Sequence, residues 1–141
     1  MKKIILFIVS SLFITSLYAQ TKFQELSLTK ALELAKSEKK LVFIDCYTSW
    51  CGPCKIMAKE VLPQKEVGDF LNELFVCVKY DMEEGEGPEL AKKYKVDAYP
   101  TFLLLNADGD FCEYTKEDSC YDRIHDYEIV QYAVLHGNLT R

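Results

Sequence analysis

The apolar run Leu41-Val42-Phe43-Ile44 leads, through a short connection, into Trp50-Cys51-Gly52-Pro53-Cys54 and then into the helix-forming residues Lys55–Leu62. Branched and aromatic residues in a short run predict a buried strand, and the segment that follows predicts a helix. Two cysteines therefore fall where a strand ends and a helix begins. Unpaired backbone N–H groups and the helix dipole favour negative charge at such a place. Cys51 is expected to be held partly as thiolate, the form that attacks disulfides, with Cys54 one turn on and able to close a ring with it. A chain built this way must present its sulfur pair at the mouth of a helix.

The remaining elements can be read in order. Lys22–Leu26 predicts a short edge strand, and Thr29 is a suitable N-cap for a helix through Ser37. Pro63 should stop or bend the helix that begins at the cysteines. Val67, Phe70, Leu71 and Leu74 recur with helical spacing, and Phe75–Asp81 predicts the next strand. Pro88 suits the first position of a helix to about Tyr94. Thr101–Leu105 predicts a strand, Asp108-Gly109 a hairpin turn into Phe111–Thr115, and Asp122–His136 a last helix. Strands alternating with helices and closing on a hairpin predict an α/β domain with a mixed sheet of four to five strands and helices on both faces.

Trp50-Cys51-Gly52-Pro53-Cys54-Lys55 resembles the active-site motif of thioredoxins, Asp45 stands where that family keeps a buried acid, and Tyr99-Pro100-Thr101-Phe102 resembles its cis-proline loop. Three separated motifs in the right order, from about Leu41 to Gly109, make the signal specific. The resemblance implies a thioredoxin fold, a redox-active Cys51–Cys54 disulfide in place of any bound cofactor, and a thiol-disulfide oxidoreductase. It makes Cys51 the nucleophile, Cys54 the resolving thiol and Asp45 the acceptor of the Cys54 proton. It implies that Trp50, Gly52, Pro53, Tyr99 and Pro100 meet the substrate. The family often has a buried lysine beside the acid. Cys77 is expected at the matching place, with Lys79 two residues further along the same side of the strand. The family's kinking proline in the active-site helix is replaced by Lys59.

Met1-Lys2-Lys3 followed by an almost wholly apolar Ile4–Tyr18, with a cleavage point at Ala19-Gln20, predicts a signal peptide over residues 1–19 and a domain over 20–141. The alternative is an uncleaved anchor, but the apolar run falls short of the ~20 residues a span needs. The chain has 17 Lys and Arg against 22 Asp and Glu; without Lys2 and Lys3 it carries 15 against 22, about −7. That balance argues against nucleic-acid partners, which need clustered positive charge. Export to the periplasm of a bacterium is the expected location, with a monomer acting on disulfide-containing proteins.

Gly52-Pro53 places no cation between the cysteines. Less thiolate stabilisation means a less stable reduced form and a better reductant. A protein-disulfide reductase is therefore expected, and an exported one requires a membrane donor of the thiol:disulfide interchange type. No second Cys-x-x-Cys occurs, so no metal site is expected. Two rivals stand beside this reading. One is a redox-inactive binding module on the same fold. The other is an iron–sulfur carrier, because Cys46, Cys51, Cys54 and Cys77 follow a two-iron ferredoxin spacing. Cys46 and Cys77 are otherwise expected as inert core thiols, and Cys112 and Cys120 could pair in an oxidising compartment.

Overall fold

The computed structural model describes residues 20–112. The predicted signal peptide over 1–19, the predicted helix over 122–136 and Cys120 of the expected Cys112–Cys120 pairing lie outside the described residues. Three strands form one sheet: β1 (Leu41–Tyr47), β2 (Phe75–Asp81) and β3 (Thr101–Leu105), in the order β2-β1-β3. β1 runs parallel to β2 and antiparallel to β3. Both edges carry one further bridge, Phe23 to Cys77 and Leu105 to Phe111. Of the four to five strands expected, three are formed among the described residues, and the predicted Lys22–Leu26 strand contracts to that single bridge.

Strand alternation sorts the side chains onto two faces. Val42, Ile44, Cys46, Val76, Val78, Leu103 and Leu105 pack on one face, beneath Leu28, Ala31 and Ala35 of α1 (Leu28–Glu38) and Leu90 and Tyr94 of α4 (Gly87–Tyr94). Leu41, Phe43, Phe75 and Cys77 pack on the other face against Val67 and Leu71 of α3 (Lys65–Leu74). Phe43 centres that side, with ring centroids of Phe102, Phe75 and Phe23 at 5.3, 6.1 and 6.3 Å. Helices therefore cover both faces, and the mixed α/β architecture is as expected.

α1 is capped two residues earlier than predicted: Ser27, not Thr29, is the N-cap, and its side chain accepts the Lys30 N–H. The serine is the residue with extended backbone there, and a cap must lie outside the helix. α2 (Gly52–Ile56) does not continue as one helix to Leu62. A π-helical turn occupies Met57–Val61, where the Leu62 N–H reaches back to the Met57 carbonyl at 2.9 Å. Pro63 has no N–H to give the ladder, so the turn widens ahead of it before α3 restarts. The loosened end is tied by Thr21, whose hydroxyl donates to the Leu62 carbonyl at 2.7 Å, and by Gln64 donating to the Glu60 carbonyl. The bend that the family makes with a proline is made here by this turn.

Two glycines are required by their surroundings. A Cβ on Gly87 would lie 1.8 Å from the Asp81 carbonyl oxygen, so the start of α4 can rest on the end of β2 only without a side chain. Gly109, at φ +88°, closes the predicted hairpin turn.

Candidate active site

The site is built at the carboxyl ends of β1 and β2. The chain leaves β1 at Tyr47, and Cys51 becomes the N-cap of α2 with Pro53 in the first turn. The Cys54 backbone N–H donates to the Cys51 sulfur at 3.1 Å. A backbone N–H directed at a sulfur is the kind of donor that favours negative charge there. Cys51 and Cys54 are joined as a disulfide, with Cα atoms 5.3 Å apart. The pair is recessed: Cys51 is 3% and Cys54 6% exposed, while the neighbouring Trp50 is 64% exposed. Gly52 and Pro53 are exposed between the two.

Asp45 is only 6% exposed, three residues before Thr48. Burial pushes its carboxyl up to about 6, against the opposing pull of the Lys79 ammonium. The parallel register pairs Asp45 with Lys79 and places Cys77 opposite Phe43. Lys79, which the sequence places two residues beyond Cys77 on the same side of the strand, is thus the cation beside the acid, and the parallel register sets this where residue counting cannot. Lys79 reaches outward with its ammonium 5.7 Å from the Phe23 ring centroid, so its charge stays hydrated while its field reaches Asp45. Asp45, Cys54 and Lys79 line a common cavity of about 200 Å³, joined by Tyr47, Thr48 and Ser49.

Tyr99-Pro100 is a cis peptide. Pro100 is buried and Tyr99 half-buried, and the Tyr99 ring meets Trp50 edge-on with centroids 6.1 Å apart. The Trp50 indole N–H donates to the Glu83 carboxylate at 3.0 and 3.1 Å. Trp50 is thus an exposed plate held from two sides. Glu83 was not foreseen: it stands in an acidic loop whose composition says nothing about which glutamate meets the indole.

Cys46 and Cys77 behave as inert thiols. They are 0% and 1% exposed, and burial pushes each up to about 12. Cys46 belongs to the core on one face of the sheet and Cys77 to the core on the other. The four cysteines of the ferredoxin-like spacing therefore do not converge, and an iron–sulfur cluster has no place to form on them.

Known proteins agree with this arrangement. A family model described as thioredoxin-like matches residues 23–107. Thioredoxin Y2 of Arabidopsis thaliana chloroplasts is 39% identical over 73 residues, covering 52% of this chain and 41% of that protein. The thiol:disulfide interchange protein DsbD of Pseudomonas fluorescens is 34% identical over 80 residues, covering 56% of this chain and 14% of that one. The chain thus spans less than half the length of these curated relatives. The solution structure of a candidate disulphide isomerase from Bacteroides thetaiotaomicron superposes with a TM-score of 0.60 at 51% identity, covering 65% of this chain and 76% of that one. With the family match running through more than half of its residues and its Cys51–Cys54 pair at disulfide distance, the chain belongs to the thioredoxin-like family of disulfide oxidoreductases.

Proposed function

We propose that this chain is a protein-disulfide reductase of the bacterial cell envelope, carrying its electrons on the Cys51–Cys54 dithiol. One observation carries the reading: a sulfur pair at a helix start sits over a buried carboxyl raised to about 6, and Cys54 and that carboxyl line one cavity. An acid poised near neutrality can take and return a proton at physiological pH. Cys51 attacks the partner's disulfide; its sulfur bonds to one partner sulfur and the other departs as a thiol. Cys54, relieved of its proton toward Asp45, then attacks Cys51, closing the pair and releasing the second partner thiol. Two electrons pass from the dithiol to the partner. The redox group is the pair itself.

The direction rests on Gly52-Pro53, which sets no cation between the cysteines, so the reduced form gains little extra stabilisation. Trp50, Gly52, Pro53 and Tyr99 form the surface a partner polypeptide meets, with the buried Pro100 setting the Tyr99 backbone toward it, and the recessed disulfide admits a narrow approach. The basic, apolar start of the chain and the likeness to an interchange protein support export and a membrane donor that recharges the pair.

Insulin reduction tests this directly. The reduced chain should precipitate the insulin B chain catalytically with dithiothreitol as donor, and Cys51→Ser should not. A wild type no better than dithiothreitol alone would leave a binding module on the same fold. Redox equilibration with glutathione tests the direction, because a strongly oxidising pair would overturn the reductase assignment.

A further inference from the structure

The cavity beneath the disulfide contains a side chain that the reaction above leaves without a task. Thr48 is 1% exposed, and its Oγ1 has no hydrogen-bond partner among the described residues. Its carbonyl is in use, accepting the Cys51 N–H at 3.2 Å, so the residue itself is fixed directly behind the nucleophile. A buried hydroxyl without a partner costs about 1–3 kcal/mol, and folded proteins seldom leave one so. Valine would fill the same space without that cost. Thr48 lines the cavity of about 200 Å³ together with Asp45, Cys54 and Lys79. Its wall is largely apolar but carries a carboxyl, an ammonium and hydroxyl groups, and a space of that size takes ordered water at such groups, satisfying those otherwise unpaired.

We infer that Thr48 is a positioning residue: its hydroxyl holds a water molecule between the Cys54 thiol and the Asp45 carboxylate, and so sets the rate at which the mixed disulfide is resolved. The inference rests on the exchange reaction proposed above. In the resolving step Cys54 gives its S–H proton to the held water, which passes one of its own protons to Asp45. The Cys54 thiolate attacks Cys51 Sγ; the Cys51–Cys54 bond forms and the bond from Cys51 to the partner sulfur breaks. The partner leaves as a thiolate and takes a proton from solvent, and Asp45 later returns its proton through the cavity. The dithiol's two electrons end on the partner. Asp45 is faced by Lys79 from β2, by Cys54 and Lys55 from α2, and by Tyr47 of its own strand, while Cys46 points to the opposite core. Of these, Lys79 is the cation that steadies the carboxylate. A threonine contributes no charge, so its effect must come through geometry, and it must be confined to the step in which Cys54 loses its proton.

Trp50, the one tryptophan of the chain, stands next to Cys51, so its emission should change with the state of the pair. Rapid mixing of the reduced chain with oxidised glutathione, followed by Trp50 emission, should separate two phases. Attack by Cys51 depends on disulfide concentration, and closure by Cys54 does not. At pH 7, Thr48→Val should slow closure about tenfold while leaving the first phase unchanged, a loss of the size one positioned hydrogen bond supplies. Thr48→Ser should restore most of the rate. The gap should narrow as rising pH ionises Cys54 unaided. Thr48→Ala carries the same expectation should the valine variant not fold. Closure within twofold of wild type in Thr48→Val, or a serine variant as slow as the valine, would overturn the inference. A wild type that does not react with the disulfide at all removes the exchange reaction itself, a result distinct from either.

Discussion

The two halves of β1 are buried to the same depth and gain opposite things from it. Leu41, Val42, Phe43 and Ile44 are each at most 6% exposed and are wholly apolar. Asp45 and Cys46 follow at 6% and 0%, but burial drives both of their titratable groups upward, to about 6 and about 12. Removing apolar surface from water stabilises the first half by roughly 1.5–3 kcal/mol for each large side chain. The same removal penalises charge in the second half. The strand therefore anchors the fold at one end and holds a costly acid at the other, and the strength of the anchor is what makes the acid tolerable. Asp45 also differs from Cys46 in direction: it faces the active-site helix, whereas Cys46 faces the opposite core.

The largest effect that would break this contrast lies in the anchoring half. Ile44 is fully buried, and Ile44→Ala should lower stability by about 2–5 kcal/mol in denaturant unfolding. Its disulfide-exchange rate, measured where the variant is folded, should stay near wild type. A large loss of rate in folded protein would mean that the two halves are not separable.

The acid should show the reverse behaviour. Its folded value of about 6 lies above the ordinary 3.8, so the folded chain holds this proton more tightly than the unfolded one. Below about pH 4 both forms are protonated and the group contributes nothing. As pH rises toward 6 the unfolded chain loses the proton first and stability falls, reaching its full penalty above pH 6. Asp45→Asn should therefore be more stable than wild type by roughly 3 kcal/mol at pH 7–8, with the difference fading toward pH 4. Unfolding curves across that range check it, and a constant difference at all pH values would sink the assignment. The same variant should resolve mixed disulfides more slowly, because its side chain accepts no proton.

The smallest expected effect separates the thiols. Iodoacetamide added to the reduced, folded chain should label Cys51 first and leave Cys46 and Cys77 untouched until denaturant is added, since their thiolate forms are scarce at pH 8. Peptide mass spectrometry reads this. Labelling of Cys46 at the rate of Cys51 would place the core thiol within reach of solvent and erase the distinction drawn along the strand.

Much of this was legible before any coordinates. Phe75–Asp81 and Thr101–Leu105 are strands over the expected residues, and Pro88 opens a helix ending at Tyr94. Each of these is signalled by its own residues: branched and aromatic runs, a proline tolerated only in a first turn, a turn residue at a fixed offset. The illegible features involve residues far apart in the chain. Glu83 meeting Trp50 and Thr21 tying the π-helical turn through Leu62 each join separate segments. The π-helical turn was half legible, since Pro63 announced a break but not the wider turn that accommodates it.

Local chemistry was enough to establish that a strand would deliver two cysteines to a helix start, with an acid buried nearby, because spacing along one chain fixes what lies within a turn or a strand's length. Which lysine faces that acid depended on how β1 and β2 slide into register. Register is settled by many side chains packing at once, so no single stretch of residues carries it.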